Sequence, residues 1–180
     1  MYRKNWSKTS LVELAEYIQQ HHSLMKEKLL KLQTLLEQAA GLHKDENFAI
    51  ISSLQDFFPD FRTKLGKHFD SEEQILIPYI RQMDDFDKNR GPKPQIHTGS
   101  IKNPISRMEY EHDQTESVMF KKLHTITGDY KLPTGSGDVL KSLYDGLKDI
   151  ESHLSEHIHL ENNVLFPLAI ELELNLMHKK

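Results

Sequence analysis

The chain has 180 residues, which suits one domain with its own hydrophobic core. Its formal net charge is −4, so no basic field indicates a nucleic-acid partner. Cysteine is absent, which excludes disulfides, thiol catalysis and sulfur ligation by this chain. No apolar run approaches the roughly 20 residues of a membrane span, and no signal peptide opens the sequence. We therefore expect no membrane partner and a cytoplasmic location.

The first predicted element is a long helix that follows a short tail. Residues 1–9 are interpreted as the tail. Ser10 and Glu13 have the spacing of a capping box, in which each residue satisfies a backbone N–H of the other. The helix is predicted to end near Ala40, because Gly41 is a common stop signal.

A second helical stretch is predicted from about Asn47 to about Met83. Pro59 lies inside it and has no N–H to donate, so a kink or a short break is expected there. Residues 84–103 then combine acidic residues with glycines and prolines, which predicts a long loop.

Asn103 and Pro104 predict the start of a third helix, with Asn103 as its N-cap, and this helix is expected to reach about Thr127. A second loop follows, and a fourth helix is predicted from about Asp138 to Leu174. Four long helices in one domain predict an all-α, antiparallel four-helix bundle over residues 10–174. Residues 175–180 are interpreted as a C-terminal tail.

An internal repeat relates the second and fourth helices. Residues 68–78 read HFDSEEQILIP and residues 157–167 read HIHLENNVLFP, so histidine, glutamate, aliphatic and proline positions recur at the same offsets. Residues four apart lie on one face of a helix, about 6 Å from each other. Each copy therefore places a histidine and a glutamate, His68 with Glu72 and His157 with Glu161, on one face.

That face is also the apolar one. On a regular helix, Glu161 shares the face of His157 with Ile150, Leu154, Val164 and Leu168, and His68 shares its face with Phe61, Ile75 and Tyr79. Burying a carboxylate without a partner costs several kcal/mol. A structural His–Glu network could compensate, but two matched pairs on facing helices favour a metal ion.

The other two helices each offer one more inward histidine, His22 on the first and His112 on the third. Imidazole and carboxylate ligands without sulfur suit iron, manganese or zinc. Four histidines and two glutamates exceed the four ligands of one zinc ion. They suit two metal ions that share two carboxylates.

These residues resemble a known family. The run EHIHLENNVLFP at 156–167, EEQILIP at 72–78, Glu111-His112-Asp113 and Pro104-Ile105-Ser106 are similar to the hemerythrin-type (HHE) domain of the RIC family. Its members are di-iron iron–sulfur cluster repair proteins of the bacterial nitric oxide and oxidative stress response. The resemblance covers about residues 10–170.

The resemblance implies two iron ions held by all six residues, with Glu72 and Glu161 as bridging carboxylates and a further oxo or hydroxo bridge. It leaves coordination positions for O2 or NO. It also implies iron–sulfur proteins and a reductase as partners. Three functions stay open: cluster repair, reduction of NO or peroxide, and storage or sensing of O2 or NO.

The sequence departs from the family in two places. Members usually carry a short N-terminal domain with two cysteines, whereas here only about ten residues precede the bundle. Oxygen-carrying hemerythrins have a histidine where this chain has Glu116. It is expected to face inward, as an acceptor beside the ligands, a further ligand or a solvated residue at the rim, and the first of these roles is preferred. His43 aligns with a family histidine, but it lies about 31 Å along a continuous helix from His22, so we leave it out of the site.

A ferritin-like site is the main rival among metal-binding bundles. It would use Glu-x-x-His pairs, which Glu109 with His112 and Glu156 with His159 provide. Glu156 and His159 point away from the apolar face of the fourth helix, however. Using them would expose that face to water, so the hemerythrin-like site is preferred.

Overall fold

The computed structural model describes Trp6 and residues 9–42 and 47–178. Within these residues the secondary structure is helical, with no strand, and the predicted all-α bundle of hemerythrin type is confirmed. No helix in the described part of the chain is both long enough and apolar enough to cross a membrane.

The elements follow in chain order. Over the described residues they comprise seven α-helices, α1 to α7, and three π-helical segments, π1 to π3, which interrupt otherwise continuous helices. Their bounds are α1 Leu11–Leu42, α2 Phe48–Ser71, π1 Glu72–Leu76, α3 Ile77–Asn89, α4 Lys102–Gln114, π2 Thr115–Phe120, α5 Lys121–Thr127, α6 Asp138–Leu160, π3 Glu161–Leu165 and α7 Phe166–His178.

Several predicted helix ends agree with these bounds. Ser10 and Glu13 form the capping box: the Ser10 N–H donates to Glu13 Oε2 at 2.8 Å, and the Glu13 N–H donates to Ser10 Oγ at 3.2 Å. Thr127 ends α5, and Gly128 follows with a φ of 58°, a left-handed conformation that glycine adopts readily. Asp138 begins α6, as the sequence predicts.

Other boundaries differ from the prediction. The helix continues through Pro59 without a break, because Phe57, Phe58 and Phe61 around it are buried and hold that turn in place. The acidic residues after Met83 stay helical as far as Asn89, so the loop is shorter than 84–103.

The third and fourth predicted helices also differ at one end each. Asn103 is not an N-cap, since its side chain donates to the Thr98 carbonyl oxygen. Ser100 accepts from the Lys102 N–H instead. The last helix extends past the predicted end at Leu174 as far as His178.

The residues divide into two compact units, each with its own buried core. The first contains the described residues of 1–22, 68–111 and 156–180. In it α3 packs against α7, and the core includes Leu14, Ile18, Leu76, Ile80, Ile105, Leu165 and Phe166. The second contains 23–42, 47–67 and 112–155, and its buried residues include Met25, Leu32, Phe61, Leu123, Leu147 and Leu154.

Candidate metal centre

Four of the six predicted ligands form one buried group within the first unit. His22, Glu72, His157 and Glu161 each offer one ligand atom, and these atoms lie within 4.8 Å of one another. The residues are at most 1% exposed. Two histidines and two carboxylates of this kind could hold a metal cation.

A second group shares the same two glutamates. It adds His68 to Glu72 and Glu161, again with ligand atoms within 4.8 Å of one another. His112, the first residue of the second unit, is 2% exposed. All six predicted residues are therefore buried.

Glu72 is the point at which the histidines converge. His22 Nε2 lies 2.9 Å from Glu72 Oε2, and His68 Nε2 lies 3.3 Å from Glu72 Oε1. His157 Nε2 is 3.9 Å from Glu72 Oε2 and 3.2 Å from Glu161 Oε2. In each case the nitrogen that faces a shared carboxylate is Nε2, so three histidines direct the same ring atom into the centre.

The opposite ring nitrogens of two of these histidines contact other carboxylates. His22 Nδ1 lies 3.0 Å from Glu73 Oε1, and His68 Nδ1 lies 2.9 Å from Glu111 Oε2. The Arg107 Nε–H donates to Glu111 Oε1 at 2.9 Å. The sequence analysis did not assign a role to Glu73 or Glu111.

The pKa values of the two shared glutamates are shifted in opposite directions. Burial opposes ionisation of Glu72, but the adjacent rings of His68, His22 and His157 outweigh it and lower the pKa of this carboxyl. Burial raises the pKa of Glu161 well above its ordinary value, and the neighbouring Glu72 carboxylate raises it further. Two adjacent buried carboxyls thus favour a single negative charge between them.

The residues fit a metal ion on these observations. A bound cation would compensate the repulsion between Glu72 and Glu161 and allow both to ionise. The donor atoms are imidazole nitrogens and carboxylate oxygens, which suit iron, manganese and zinc. The Phe69 ring, fully buried, stacks on His22 with ring centroids 4.6 Å apart and contributes an apolar wall.

The π-helical segments change which residues face inward. A π-helix inserts an extra residue relative to an α-helix, so every later residue is rotated about the axis. The predicted core positions Ile75 and Leu168 are 43% and 37% exposed, whereas the next residues, Leu76 and Ala169, are fully buried. The regular-helix expectation was wrong at Ile75 and Leu168, because π1 and π3 begin at the glutamates that precede them, whereas Tyr79 is buried as predicted.

The predicted inward direction of Glu116 is wrong for the same reason. It was expected to face inward, but it lies in π2, is exposed, and belongs to neither ligand group. Thr115 is buried in that turn instead. The interpretation of Glu116 as a ligand or a neighbour of the ligands is therefore wrong.

The remaining histidines mostly lie away from the ligand groups. His43 is outside the described residues. His21 is partly buried, and its ring centroid lies 4.3 Å from that of Tyr17 and 6.2 Å from that of His157. Glu156 and His159 are both exposed, which contradicts the ferritin-like alternative.

One buried carboxylate of the first unit was missed by the sequence analysis. Glu173, only 3% exposed, accepts hydrogen bonds from Ser100 Oγ at 2.7 Å, the Ile101 N–H at 2.8 Å and Tyr79 Oη at 3.1 Å. Burial and this contact with Glu173 raise the pKa of Tyr79 to about 12. Through these hydrogen bonds Glu173, which lies in α7, connects α7 with α3 and with the loop that precedes α4. No periodicity in the sequence distinguishes this residue.

The fold and the buried His/Glu groups define a helical bundle built to hold metal cations. Comparison with known proteins assigns the family: residues 13–169 match the hemerythrin HHE cation binding domain, and the chain belongs to that family.

Curated relatives match almost the whole chain. A probable iron–sulfur cluster repair protein of Haemophilus influenzae is 29% identical over 171 residues, which are 93% of this chain and 69% of the relative. The iron–sulfur cluster repair protein YtfE of Musicola paradisiaca is 31% identical over 94% of this chain and 70% of the relative. YtfE of Escherichia coli O1:K1 is also 31% identical, over 93% of this chain and 70% of its own length.

Proposed function

We propose that this protein is a non-haem di-iron protein that acts in the repair of iron–sulfur clusters during nitric oxide or oxidative stress. The observation that carries the proposal is the pair of overlapping ligand groups. The first has His22 and His157, the second has His68, and both share Glu72 and Glu161. Two groups with two common carboxylates are the arrangement that two adjacent, carboxylate-bridged ions require.

In this arrangement His22 and His157 would hold one ion, and His68 and His112 the other. Glu72 and Glu161 would bridge them, together with an oxo or hydroxo group. Two bound irons would supply redox chemistry and open positions for O2 or NO. The chain itself contributes burial, which excludes bulk water from the ligands, and four helices that fix their directions.

Iron is favoured over zinc for two reasons. Six ligands exceed what one zinc usually takes. The relatives over 93–94% of the chain are named as iron–sulfur cluster repair proteins. Their names support a role with damaged iron–sulfur proteins as partners, and a cytoplasmic location remains the prediction.

The first experiment is to measure iron and zinc per chain in the purified protein and to record its absorption spectrum. We expect close to two irons with oxo-to-iron bands in the near ultraviolet. A chain that holds no iron after anaerobic reconstitution with ferrous iron would overturn the di-iron proposal.

The second experiment tests the repair role. The iron-loaded protein is incubated with an iron–sulfur enzyme whose cluster NO has damaged, and recovery of that enzyme is followed. The His157→Ala variant is the matched control, since it should restore nothing. Catalytic removal of NO or peroxide with an added reductant, without recovery of the cluster, would instead favour the reductase function. Reversible O2 binding without turnover would favour storage or sensing.

A further inference from the structure

The His22 ring is held between two consecutive carboxylates. Its Nε2 lies 2.9 Å from Glu72 Oε2 and its Nδ1 lies 3.0 Å from Glu73 Oε1. Consecutive residues of a regular α-helix point about 100° apart. Glu72 and Glu73 are the first two residues of π1, where the helix is wider, and they reach opposite edges of one imidazole.

The His68 ring has the same arrangement with different partners. Its Nε2 faces Glu72 Oε1 at 3.3 Å, and its Nδ1 contacts Glu111 Oε2 at 2.9 Å. Glu111 lies on α4, and Arg107, one turn earlier, donates to its other oxygen. The hydrogen bonds from His68 and Arg107 thus reach both oxygens of Glu111.

Two ligand histidines therefore share one pattern: Nε2 faces a shared carboxylate of the centre, and Nδ1 faces a carboxylate that belongs to neither ligand group. A neutral imidazole carries its proton on only one nitrogen. An ionised carboxylate can only accept a hydrogen bond. When Nε2 holds a metal ion the ring proton is on Nδ1, where Glu73 or Glu111 can accept it. In the metal-free rings Glu72 faces Nε2 as a second acceptor, so Glu73 and Glu111 shift the balance toward the Nδ1–H form.

Glu73 and Glu111 are also partly exposed, with side chains 25% and 30% accessible. They lie on the outer side of buried histidines that are at most 7% exposed. Each contacts a histidine on a different helix from its own: Glu73 is in π1 and His22 in α1, while Glu111 is in α4 and His68 in α2. Each carboxylate thus fixes a ring from across a helix interface.

We propose that Glu73 and Glu111 are positioning residues that favour the Nδ1–H tautomer and fix the ring direction of His22 and His68, and that they strengthen metal binding through these rings. The proposal rests on the proposed function. In metal sites of known proteins, loss of such a partner typically lowers metal affinity 10–100-fold, about the size expected here.

The competing explanation is that these contacts are surface ion pairs to protonated histidines. The two explanations differ in the metal-free protein. Positioning requires that each neutral ring carries more of its proton on Nδ1 when its partner, Glu73 or Glu111, is present. A simple ion pair has no preference between the two nitrogens after that charge is lost.

The first test uses the tautomers in the full-length, metal-free protein. Two-dimensional ¹⁵N–¹H NMR of the histidine rings is recorded at a pH at which His22 and His68 are neutral. Glu73→Ala should shift His22 alone toward the Nε2–H form, and Glu111→Ala should shift His68 alone. Unchanged tautomers in both variants would overturn the proposal.

The second test uses metal affinity, with ferrous iron and a competing chelator as the probe. Glu73→Ala and Glu111→Ala should each weaken binding by about 10–100-fold. Glu73→Gln and Glu111→Gln should recover part of this loss, since the amide oxygen still accepts from Nδ1–H. Glu109→Ala, at an exposed carboxylate of α4, is the matched control and should bind as the unaltered protein does.

The experiments distinguish failure of the positioning proposal from failure of the di-iron proposal. If the unaltered protein binds two irons and the Ala variants bind them equally well, positioning is wrong and the di-iron function stands. If the unaltered protein binds no iron, the di-iron function falls, and the tautomers of the metal-free protein still decide whether Glu73 and Glu111 position the rings. Thermal unfolding of each variant, followed by circular dichroism, confirms that it is folded.

Discussion

The two copies of the internal repeat have matching sequences but different electrostatic environments. Glu72 and Glu161 occupy the same position, four residues after a buried histidine, and each begins a π-helical segment. Three histidine nitrogens lie within 3.9 Å of Glu72, and its pKa is lowered. Glu161 contacts His157 at 3.2 Å and lies beside Glu72, and its pKa is raised.

This difference shows that a repeated motif does not imply a repeated charge state. The neighbouring histidines favour ionisation of Glu72. The ionised Glu72 carboxylate then disfavours ionisation of Glu161. Before metal binds, the centre favours one charged and one protonated carboxyl. Metal binding to both groups would require the second to lose its proton, which makes binding depend on pH.

The largest expected effect is the loss of metal. His157→Ala and Glu161→Ala should each remove most of the bound iron, because they delete a ligand from one or both groups. His159→Ala, which changes an exposed neighbour in the same repeat, should retain it. Iron per chain after identical purification measures this. Equal retention in all three variants would contradict the site assignment.

A smaller effect should distinguish the two glutamates in the metal-free protein. Glu72→Gln removes the charge that compensates three buried histidines and should lower the free energy of unfolding by about 3 kcal/mol. Glu161→Gln replaces a carboxyl that is already favoured in its neutral form and should be neutral or stabilising. Urea unfolding at neutral pH compares them, and equal losses would show that the two positions are electrostatically equivalent.

The register change in π3 can be tested through a loss of unfolding free energy of comparable size. Leu165→Ala deletes a fully buried side chain and should cost about 3 kcal/mol, within the range for large-to-small core changes. Leu168→Ala, at a side chain 37% exposed, is the matched control and should cost well under half of that. If Leu168→Ala were the more damaging change, the helix would follow the regular register that the sequence predicts.

The smallest expected effect is a pH trend in the metal-free protein. The folded-state pKa of Glu161 is raised, so its contribution to stability is present below its ordinary value of 4.5 and is lost as pH rises through the folded pKa. Glu72 behaves oppositely: its contribution is present above 4.5 and is lost as pH falls. Unfolding free energies measured across pH should show that Glu161→Gln removes the decline on the alkaline side. A decline of equal slope in the variant would rule out Glu161 as its source.

Much of this protein was determined by local sequence. The spacing of histidine and glutamate in each repeat places both on one helix face, and all six proposed ligands are buried. The capping box at Ser10 and the glycine after Thr127 predict helix ends that the structure contains. These features depend only on the geometry of one helix, so they can be read without knowledge of its neighbours.

Other features were decided by tertiary structure. Residues in π1, π2 and π3 change the inward face, which exposes Ile75, Glu116 and Leu168. The one local signal is a proline shortly after π1 and after π3, which removes an intrahelical N–H donor. A proline alone does not specify a π-helix, because Pro59 lies within a continuous α-helix.

The partners of the ligands also depend on contacts between helices. Glu73 and Glu111 are adjacent in sequence to Glu72 and His112, yet each contacts a histidine on another helix. The opposite pKa shifts of Glu72 and Glu161 arise from charges brought together by folding. The sequence by itself determined which residues could bind metal, and the tertiary structure decided their charges and orientations, because electrostatic interactions depend on distances that no single helix fixes.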